Sequence, residues 1–364
     1  MKKHVNIAIF IPHLGCPFDC IFCNQKKIAS AISPPAPAAI GEIIAEHLRT
    51  IHKNSEIEVA FFGGSFTAIN KEVQVEYLEA VQPYIKSGQV NSIRISTRPD
   101  CIDWPVLDLL KAYGVNTIEL GVQSINDEVL KKSCRGYTAD DVFKAAHLIK
   151  ENNFRLGIQL MVGLPGDHQE LDIKSTKLAI ALSPDMVRIY PTLVIQDTVL
   201  AELYKKDLYM PLSLEEAISI TKEMYLHFTA NDINVIRMGL HPSEELISGD
   251  AVIAGPFHPA FGELVEQAVF YDQFICLRQS ALKEVEGGHK LNVFVNPRDM
   301  SKMVGNKKQN IKRLKDNWQI EATVKPDSLL ELNSIGIRRE GDQTATVLSR
   351  DEYWQRSGYI LRHI

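Results

Sequence analysis

The sequence contains no apolar run long enough to form a membrane-spanning helix, which needs about 18 or more such residues. The N-terminal stretch MKKHVNIAIF has two lysines followed by a short apolar run, as a signal peptide does. Pro12 and His13 interrupt this run, and the chain continues directly into a cluster of cysteines. Since neither kind of segment is present, the sequence predicts a cytoplasmic protein without a membrane anchor.

The sequence also lacks an excess of positive charge. It has 40 lysine and arginine residues against 45 aspartate and glutamate residues, so its net charge is −5. The chain as a whole therefore has no electrostatic attraction for nucleic acid, and RNA binding would require a local basic region.

Cysteine is scarce, and half of the six cysteines lie in one short stretch. Residues 12–24 read PHLGCPFDCIFCN and place Cys16, Cys20 and Cys23 at the spacing C-x3-C-x2-C. A cytoplasmic protein keeps its thiols reduced, so this cluster does not predict disulfides. The remaining cysteines are too widely separated to predict a second cluster; they are Cys101, Cys134 and Cys276.

Three clustered cysteines without a fourth restrict the kind of metal site. A structural zinc site takes four ligands, usually two C-x2-C pairs or cysteine with histidine, and no second C-x2-C is present. An iron–sulfur cube can instead be held by three thiolates, which leaves one iron open to bind a substrate. A zinc site completed by His13 stays open as the alternative.

Short apolar runs alternate with amphipathic helical patterns over the first 200 residues. Six such runs occupy residues 6–14, 57–64, 92–99, 117–124, 155–166 and 185–194. Each is mostly apolar, as expected for a strand that is covered on both faces. Successive strand–helix units predict a parallel sheet, and six units are too few for a closed eight-stranded barrel. An open sheet and a partial barrel are both compatible with this pattern.

The cysteine spacing, with Phe22 before the last cysteine, resembles the signature of the radical S-adenosylmethionine superfamily. The resemblance implies that Cys16, Cys20 and Cys23 hold a 4Fe-4S cluster whose open iron binds S-adenosylmethionine. In that family, an electron from the cluster cleaves S-adenosylmethionine, and the 5′-deoxyadenosyl radical that forms removes a hydrogen atom from the substrate. An electron donor such as flavodoxin or ferredoxin is then expected.

Two further segments narrow the resemblance to one branch of the superfamily. The segment GVQSINDEVLKKSCRGYT (121–138), followed by LMVGLPGD (160–167), is similar to the catalytic subunit of Elongator and its bacterial relatives. Oxygen-independent coproporphyrinogen oxidases are more distant kin. The resemblance covers about residues 5–265 and shows no acetyltransferase segment, so acetyl-CoA-dependent chemistry is not implied. The implied substrate class is tRNA, with a base carbon as the site of modification.

The resemblance also assigns cofactor contacts to the ends of the predicted strands. The implied contacts are Gly63, Gly64, Ser65, Ser96, Gln123, Ser124, Arg135, Leu160, Val162 and Gly163. The glycine pair would meet the amino group of S-adenosylmethionine, although serine replaces the acid that the family usually carries next. The polar residues of the third and fourth strands would bind ribose, the arginine would pair with the carboxylate, and the last three would flank adenine. For each residue, an ordinary role in a strand-end turn or in the core is the alternative.

The C-terminal part contains a basic region. Residues 291–325 parse as strand, helix, tight loop, helix, strand, and the loop VGNKKQNI resembles the GXXG loop with which KH domains clamp a nucleic-acid backbone. Gly305 matches the first glycine, whereas Lys308 occupies the second glycine's position. Positions 298–315 contain seven basic residues and one acidic residue. This pattern predicts RNA binding through Gly305, Lys307, Lys308 and Lys312, with a solvated helix face as the alternative.

Together these features predict an α/β protein with three segments. Residues 1–200 would form a partial (β/α)6 TIM-like barrel, residues 201–287 would close it and shape the substrate pocket, and residues 288–364 would form a small α+β KH-like domain. The predicted function is radical-based tRNA modification. Two alternatives are a radical enzyme acting on a small molecule such as a tetrapyrrole, and a non-catalytic RNA-binding protein with a structural metal.

Overall fold

Seven parallel strands form one sheet in the computed structural model, which describes residues 4–17, 20–24, 33–52, 54–241, 244–281, 289–339 and 342–361. In order across the sheet they are β1 (His4–Phe10), β2 (Glu56–Phe62), β3 (Ser92–Thr97), β4 (Val115–Gln123), β5 (Arg155–Val162), β6 (Met186–Pro191) and β8 (Asn234–Met238). Two short strands, β7 (Val194–Ile195) and β9 (Val252–Ala254), pair separately. The sheet curls into a half-barrel, which confirms the predicted partial barrel and adds a seventh strand to it.

Helices connect the strands of this sheet. They are α1 (Ile40–Leu48), α2 (Lys71–Lys86), α3 (Trp104–Ala112), α4 (Asp127–Lys132), α5 (Ala139–Glu151), α6 (Gln169–Ala181), α7 (Val199–Lys205) and α9 (Glu244–Ser248). Side-chain caps set several of their starts, because Asn70 and Asp103 accept hydrogen bonds from backbone N–H groups of the first turns of α2 and α3. Thr138 and Asp141 form a reciprocal capping box at α5.

Burial differs between the inner and the edge strands of the sheet. Residues 57–61 of β2 are buried without interruption, whereas no residue of the edge strand β8 is fully buried. Inner parallel strands are covered on both faces, which explains why their sequences read as unbroken apolar runs.

A row of four charged side chains lies on one face of the sheet: Glu58, Arg94, Glu119 and Arg188. The Arg94 guanidinium lies 2.6 Å from the carboxylate of Glu58 and 2.6 Å from that of Glu119. Glu119 also accepts hydrogen bonds from Arg188 at 2.6 and 3.1 Å. Burial alone would raise the pKa of the Glu58 carboxyl, but Arg94 holds this pKa below its ordinary value. We call these four residues the charge row.

A second unit contains a four-stranded sheet. Its strands are β10 (His289–Val295), β11 (Ile320–Pro326), β12 (Ile335–Arg339) and β13 (Thr346–Leu348), in the order β11-β10-β12-β13. Its helices are α8 (Leu214–Ala230), α10 (Phe261–Ala281), α11 (Met300–Val304), α12 (Gln309–Trp318) and α13 (Arg350–Ser357). β10 runs parallel to β11 and antiparallel to β12. The predicted order of strand, helix, loop, helix and strand is therefore present from β10 to β11.

The two units divide the chain differently from the predicted segments. One unit comprises Met1–Leu214 and Ile233–Pro259, and the other comprises Glu215–Asp232 and Ala260–Ile364. Most of α8 and all of α10 therefore belong with the C-terminal sheet, although the sequence placed them in a barrel-closing segment. Leu226, Phe270 and Phe274 of these helices share one apolar core with the second sheet. A sequence pattern that indicates a buried helix face does not identify the surface against which the helix packs.

No helix within the described ranges has the length and apolar character that crossing a membrane would require.

Candidate metal centre

The three clustered cysteines lie on the loop that follows β1, at the carboxyl end of the parallel sheet. None of the three forms a disulfide, and all three are half-buried. Backbone hydrogen bonds from Ile21 to Ser133 (3.4 Å) and from Leu200 to Ile21 (2.8 Å) attach the loop to neighbouring segments. Ile21 and Phe22 add apolar contacts with residues that follow β5. The loop is thus held on several sides.

Two glycines allow this loop to pack closely against the end of β2. A Cβ atom on Gly15, whose φ is +74°, would lie 2.3 Å from the Ser65 carbonyl oxygen. A Cβ atom on Gly64 would lie 2.3 Å from the Leu14 carbonyl oxygen. Close packing against the cysteine loop therefore requires a glycine at position 64, and the predicted contact of Gly64 with S-adenosylmethionine stays a prediction. Gly15 was not predicted, and a glycine directly before the first cysteine was its only sequence signal.

We expect Gly15→Ala to destabilise the fold by about 2–4 kcal/mol, because the new methyl group overlaps backbone atoms and the left-handed conformation disfavours alanine. Chemical denaturation measures this change. Gly41→Ala is the matched control. Gly41 lies within α1, and a Cβ atom there would be 3.6 Å from its nearest neighbour, the Tyr84 hydroxyl. This substitution should stabilise the protein by about 0.5–1 kcal/mol. Equal stability of the two variants would contradict the proposed close packing.

Arg135 lies directly beside the cysteines. Its Nη1 donates a hydrogen bond to Cys20 Sγ at 2.9 Å, its Nη2 to the Gly121 carbonyl at 2.6 Å, and its Nε to the Tyr137 hydroxyl at 2.8 Å. The guanidinium groups of Arg98 and Arg135 each lie 5.0 Å from the centre of the Tyr137 ring. Arg135 is thus the cation in contact with a thiol, whereas Arg98 is paired with the Asp100 carboxylate at 2.9 Å.

Burial and nearby charges shift the pKa of the Cys16 thiol. Burial raises the pKa of the Cys16 thiol, and a nearby Cys20 adds to this effect. Arg98 and Arg135 act in the opposite direction, because positive charge favours the thiolate. The site thus combines a poorly solvated pocket with fixed positive charge, which suits an anionic ligand.

The residues predicted at the end of β2 have different environments. Gly63 is half-buried and has a φ of +99°, so its backbone adopts a conformation that favours glycine. Ser65 is fully buried, and its hydroxyl lies 3.0 Å from that of Thr97. The Ser65 amide donates to the Leu14 carbonyl at 2.9 Å. The hydroxyl and the amide of Ser65 therefore form hydrogen bonds within the protein. Ser65 does not replace the acidic residue that the family usually carries at this position.

The three predicted ribose contacts also differ in accessibility. Gln123 and Ser124 are buried, with hydrogen-bonding distances of 3.2 Å to Gln159 and 3.4 Å to Ser175, respectively. Ser96 is half-buried on β3, and its hydroxyl makes no hydrogen bond with the described residues. Of the three, Ser96 thus has the most accessible hydroxyl.

The side chains of Leu160 and Val162 lie on the opposite face of β5 from the cysteine loop. Successive strand residues alternate between faces, and Met161 is the residue that packs with Ile21 and Phe22. If Leu160 and Val162 flank adenine as predicted, they do so through their backbone groups, because their side chains point away from the cysteine loop. The uniformly apolar sequence of β5 carries no alternation that could have shown this.

Gly163 follows β5 with a φ of +76°. A Cβ atom there would lie 2.8 Å from the Leu212 side chain, and its carbonyl accepts a hydrogen bond from the Tyr209 hydroxyl at 2.7 Å. Contacts within the protein thus account for this glycine, and they occupy its carbonyl.

The donor set fits an iron–sulfur cube better than a single metal ion. Within the described ranges, no three histidine, cysteine, aspartate or glutamate side chains converge as ligands of one ion. The thiolates of a cube bind three different irons and need not converge on one point. Cys16, Cys20 and Cys23, with Arg135 beside them, would hold such a negatively charged group.

The predicted RNA-binding loop lies in the second unit, between α11 and α12. Gly305 has a φ of +78°, and a Cβ atom there would lie 2.9 Å from the Asn310 amide. The Asn306 amide donates to the Gln267 side chain at 2.8 Å, which fixes the loop to α10. Lys307 and Lys308 are exposed and have φ values of +48° and +61°. Lys308 thus takes the left-handed conformation that glycine would favour in its place.

Not all basic residues of this region are available to a ligand. Lys302 forms ion pairs with Glu266 at 2.5 Å and with Asp299 at 3.3 Å. Arg313 packs against the ring of Tyr271. The exposed cations of the region are Arg298, Lys307, Lys308, Lys312 and Lys315.

Comparisons with known proteins agree with this geometry. The family model for the radical SAM superfamily matches residues 10–173, and the model for the Radical_SAM C-terminal domain matches residues 184–270. A tRNA uridine(34) acetyltransferase from Methanocaldococcus jannaschii is 34% identical over 190 residues, which is 46% of this chain and 35% of the relative. Elongator complex protein 3 from Bos taurus is 30% identical over 246 residues, which is 59% of this chain and 44% of the relative.

A solved structure is similar as well. The archaeal Elp3 of Methanocaldococcus infernus, with an N-terminal deletion, matches with a TM-score of 0.57 and 25% identity over 74% of this chain and 63% of that chain. The chain spans about a third to a half of the length of the curated relatives named above. The chain thus belongs to the radical S-adenosylmethionine superfamily and is similar to its Elongator catalytic-subunit branch.

Proposed function

We propose that this protein is a radical S-adenosylmethionine enzyme that modifies a base in tRNA. The observation that carries the enzymatic part is the loop of three cysteine thiols at the carboxyl end of the half-barrel, with Arg135 hydrogen-bonded to Cys20. Superfamily membership supports a 4Fe-4S cluster and S-adenosylmethionine as cofactors. The relatives' names support tRNA as the substrate.

Each part of the site has a role that follows from its chemistry. Cys16, Cys20 and Cys23 would hold the cluster, which when bound supplies the electron that cleaves S-adenosylmethionine. Arg135 orients the Cys20 thiol and balances negative charge in a poorly solvated pocket. Met161 and Phe22 exclude water from one side of the thiols. Ser96 offers a hydroxyl at the strand ends.

The second unit supports RNA as the partner. Lys307, Lys308 and Lys312 are exposed around a loop that Gly305 and Gln267 hold in one conformation. A loop that is ordered before binding loses less entropy when it contacts a phosphate backbone. The proposal includes a cytoplasmic location and a one-electron donor such as flavodoxin or ferredoxin.

Replacing Lys307, Lys308 and Lys312 together with glutamine should weaken tRNA binding and make it less sensitive to salt. Each lysine–phosphate contact contributes about 0.9 to the slope of log K against log salt, so the slope should fall by about 2–3. Filter binding or fluorescence anisotropy over a range of salt concentrations measures this slope.

Replacing Lys71, Lys86 and Lys144 with glutamine is the matched control, because it removes the same charge from exposed positions on α2 and α5. If both triple variants keep the wild-type slope, the loop does not bind RNA. Cleavage of S-adenosylmethionine without any change in tRNA nucleosides between wild-type and deletion strains would favour a small-molecule substrate. Zinc without iron in the purified protein would favour a non-catalytic protein.

A further inference from the structure

Trp318 is an exposed aromatic residue at the C-terminal end of α12. It retains 36% of its accessible surface, and Trp104 of the first unit is exposed to a greater extent, at 53%. The indole N–H of Trp318 donates a hydrogen bond to the Tyr271 hydroxyl at 3.1 Å. The Arg278 guanidinium lies 4.5 Å from the centre of the indole ring. The ring is therefore held from two sides while part of it faces solvent.

The support beneath this ring is itself rigid. Tyr271 is buried, and the Arg313 guanidinium lies 3.7 Å from the centre of its ring. Arg313 and Trp318 of α12 thus both contact Tyr271, and Tyr271 and Arg278 both lie on α10. Packing of this kind fixes the orientation of the exposed indole before any ligand binds.

A row of exposed lysines leads from the Gly305 loop to this ring. Lys312 and Lys315 are three residues apart and lie on one side of α12, and Lys308 directly precedes this helix. Trp318 follows Lys315 by three residues, which makes the two neighbours on the helix surface. Asp316 is the single acidic residue of α12. A ten-residue helix is about 15 Å long, enough for about two nucleotides of an extended strand.

We propose that Trp318, backed by Arg278, is a stacking platform for an unpaired base of bound RNA. Proteins recognise single-stranded RNA by stacking its bases on aromatic rings while basic side chains follow the phosphates. The lysine row would contact the phosphates, and a cation on the indole strengthens the stack. The inference rests on the proposed RNA binding and adds that part of the bound RNA is unpaired.

The test uses the fluorescence of the full-length protein titrated with oligouridylate and with an RNA duplex of equal length. The single strand should quench tryptophan emission. Trp318→Leu should abolish this quenching and weaken single-strand binding by about 5- to 150-fold, as expected for one lost base stack. Duplex binding should change by less than about twofold, because it depends on the lysines.

Controls separate stacking from a general loss of structure. Trp104→Leu removes the exposed tryptophan of α3 and should leave single-strand binding unchanged. Trp318→Tyr keeps an aromatic ring and should restore most of the affinity that Trp318→Leu loses. Thermal unfolding verifies that each variant is folded at the assay temperature.

Three outcomes would overturn the inference. If the single strand binds in a salt-dependent way but neither quenches emission nor responds to Trp318→Leu, Trp318 only packs against α10. If Trp318→Tyr binds as weakly as Trp318→Leu, the ring does not act by stacking. If the wild-type protein binds neither RNA, the proposed RNA binding falls together with this inference.

Discussion

Cys20→Ala is expected to reduce reductive cleavage of S-adenosylmethionine to the background rate. The change removes one of three thiolates and leaves the buried Arg135 without the sulfur to which it donates at 2.9 Å. Iron and sulfide content after anaerobic reconstitution and the yield of 5′-deoxyadenosine measure the effect. Both should fall together, because a cluster held by three thiolates would lose one of its ligands.

Cys134→Ala is the matched control for this prediction. Cys134 is an exposed free thiol outside the cysteine loop, and its replacement should leave both iron content and cleavage unchanged. Cleavage at the wild-type rate by the Cys20 variant would show that this thiol is not a cluster ligand, and the proposed function would then lose its main support.

Glu119→Gln should lower the free energy of unfolding by about 3–5 kcal/mol. The Glu119 carboxylate balances two arginines in the charge row, and its side chain is only 6% exposed. Glutamine has nearly the same shape, but it leaves Arg94 and Arg188 without this negative charge in a buried place, and an uncompensated buried charge is costly. Denaturant unfolding followed by circular dichroism gives the difference.

An exposed ion pair provides the comparison. Asp140 and Lys144 of α5 also form a salt bridge, yet their side chains are 71% and 67% exposed. Asp140→Asn should therefore change the stability by less than about 0.5 kcal/mol. A Glu119 variant that is as stable as the Asp140 variant would mean that water reaches the charge row.

The sequence predicts the parallel sheet well because inner parallel strands are covered on both faces and read as apolar runs of limited length. The resemblance to the radical S-adenosylmethionine superfamily, and not these runs, favours the partial barrel over an open sheet. The same uniformity hides which residues of a strand face the site, so Met161 could not be distinguished from Leu160 or Val162. Helices α8 and α10 show a related limit, since an apolar stripe indicates burial without naming the partner surface.

The residues of the candidate site were likewise predictable only in part. The cysteines were predictable because a cluster needs particular ligands at a particular spacing. The need for glycine at position 15 and the burial of the Ser65 hydroxyl were not predictable. Both depend on contacts between two loops that are distant in the sequence. Lys302 appeared in the sequence as part of a basic region, whereas Glu266, which neutralises it, lies 36 positions earlier in the chain.

The charge row also restricts how the half-barrel can assemble. Its members lie on β2, β3, β4 and β6, and their partners are in reach only when these strands are aligned as observed. A slip of one residue would turn a charged side chain to the opposite face and leave it buried without a counter-ion. Misaligned intermediates are therefore penalised during folding, and a sheet that closes on apolar contacts alone would tolerate more of them.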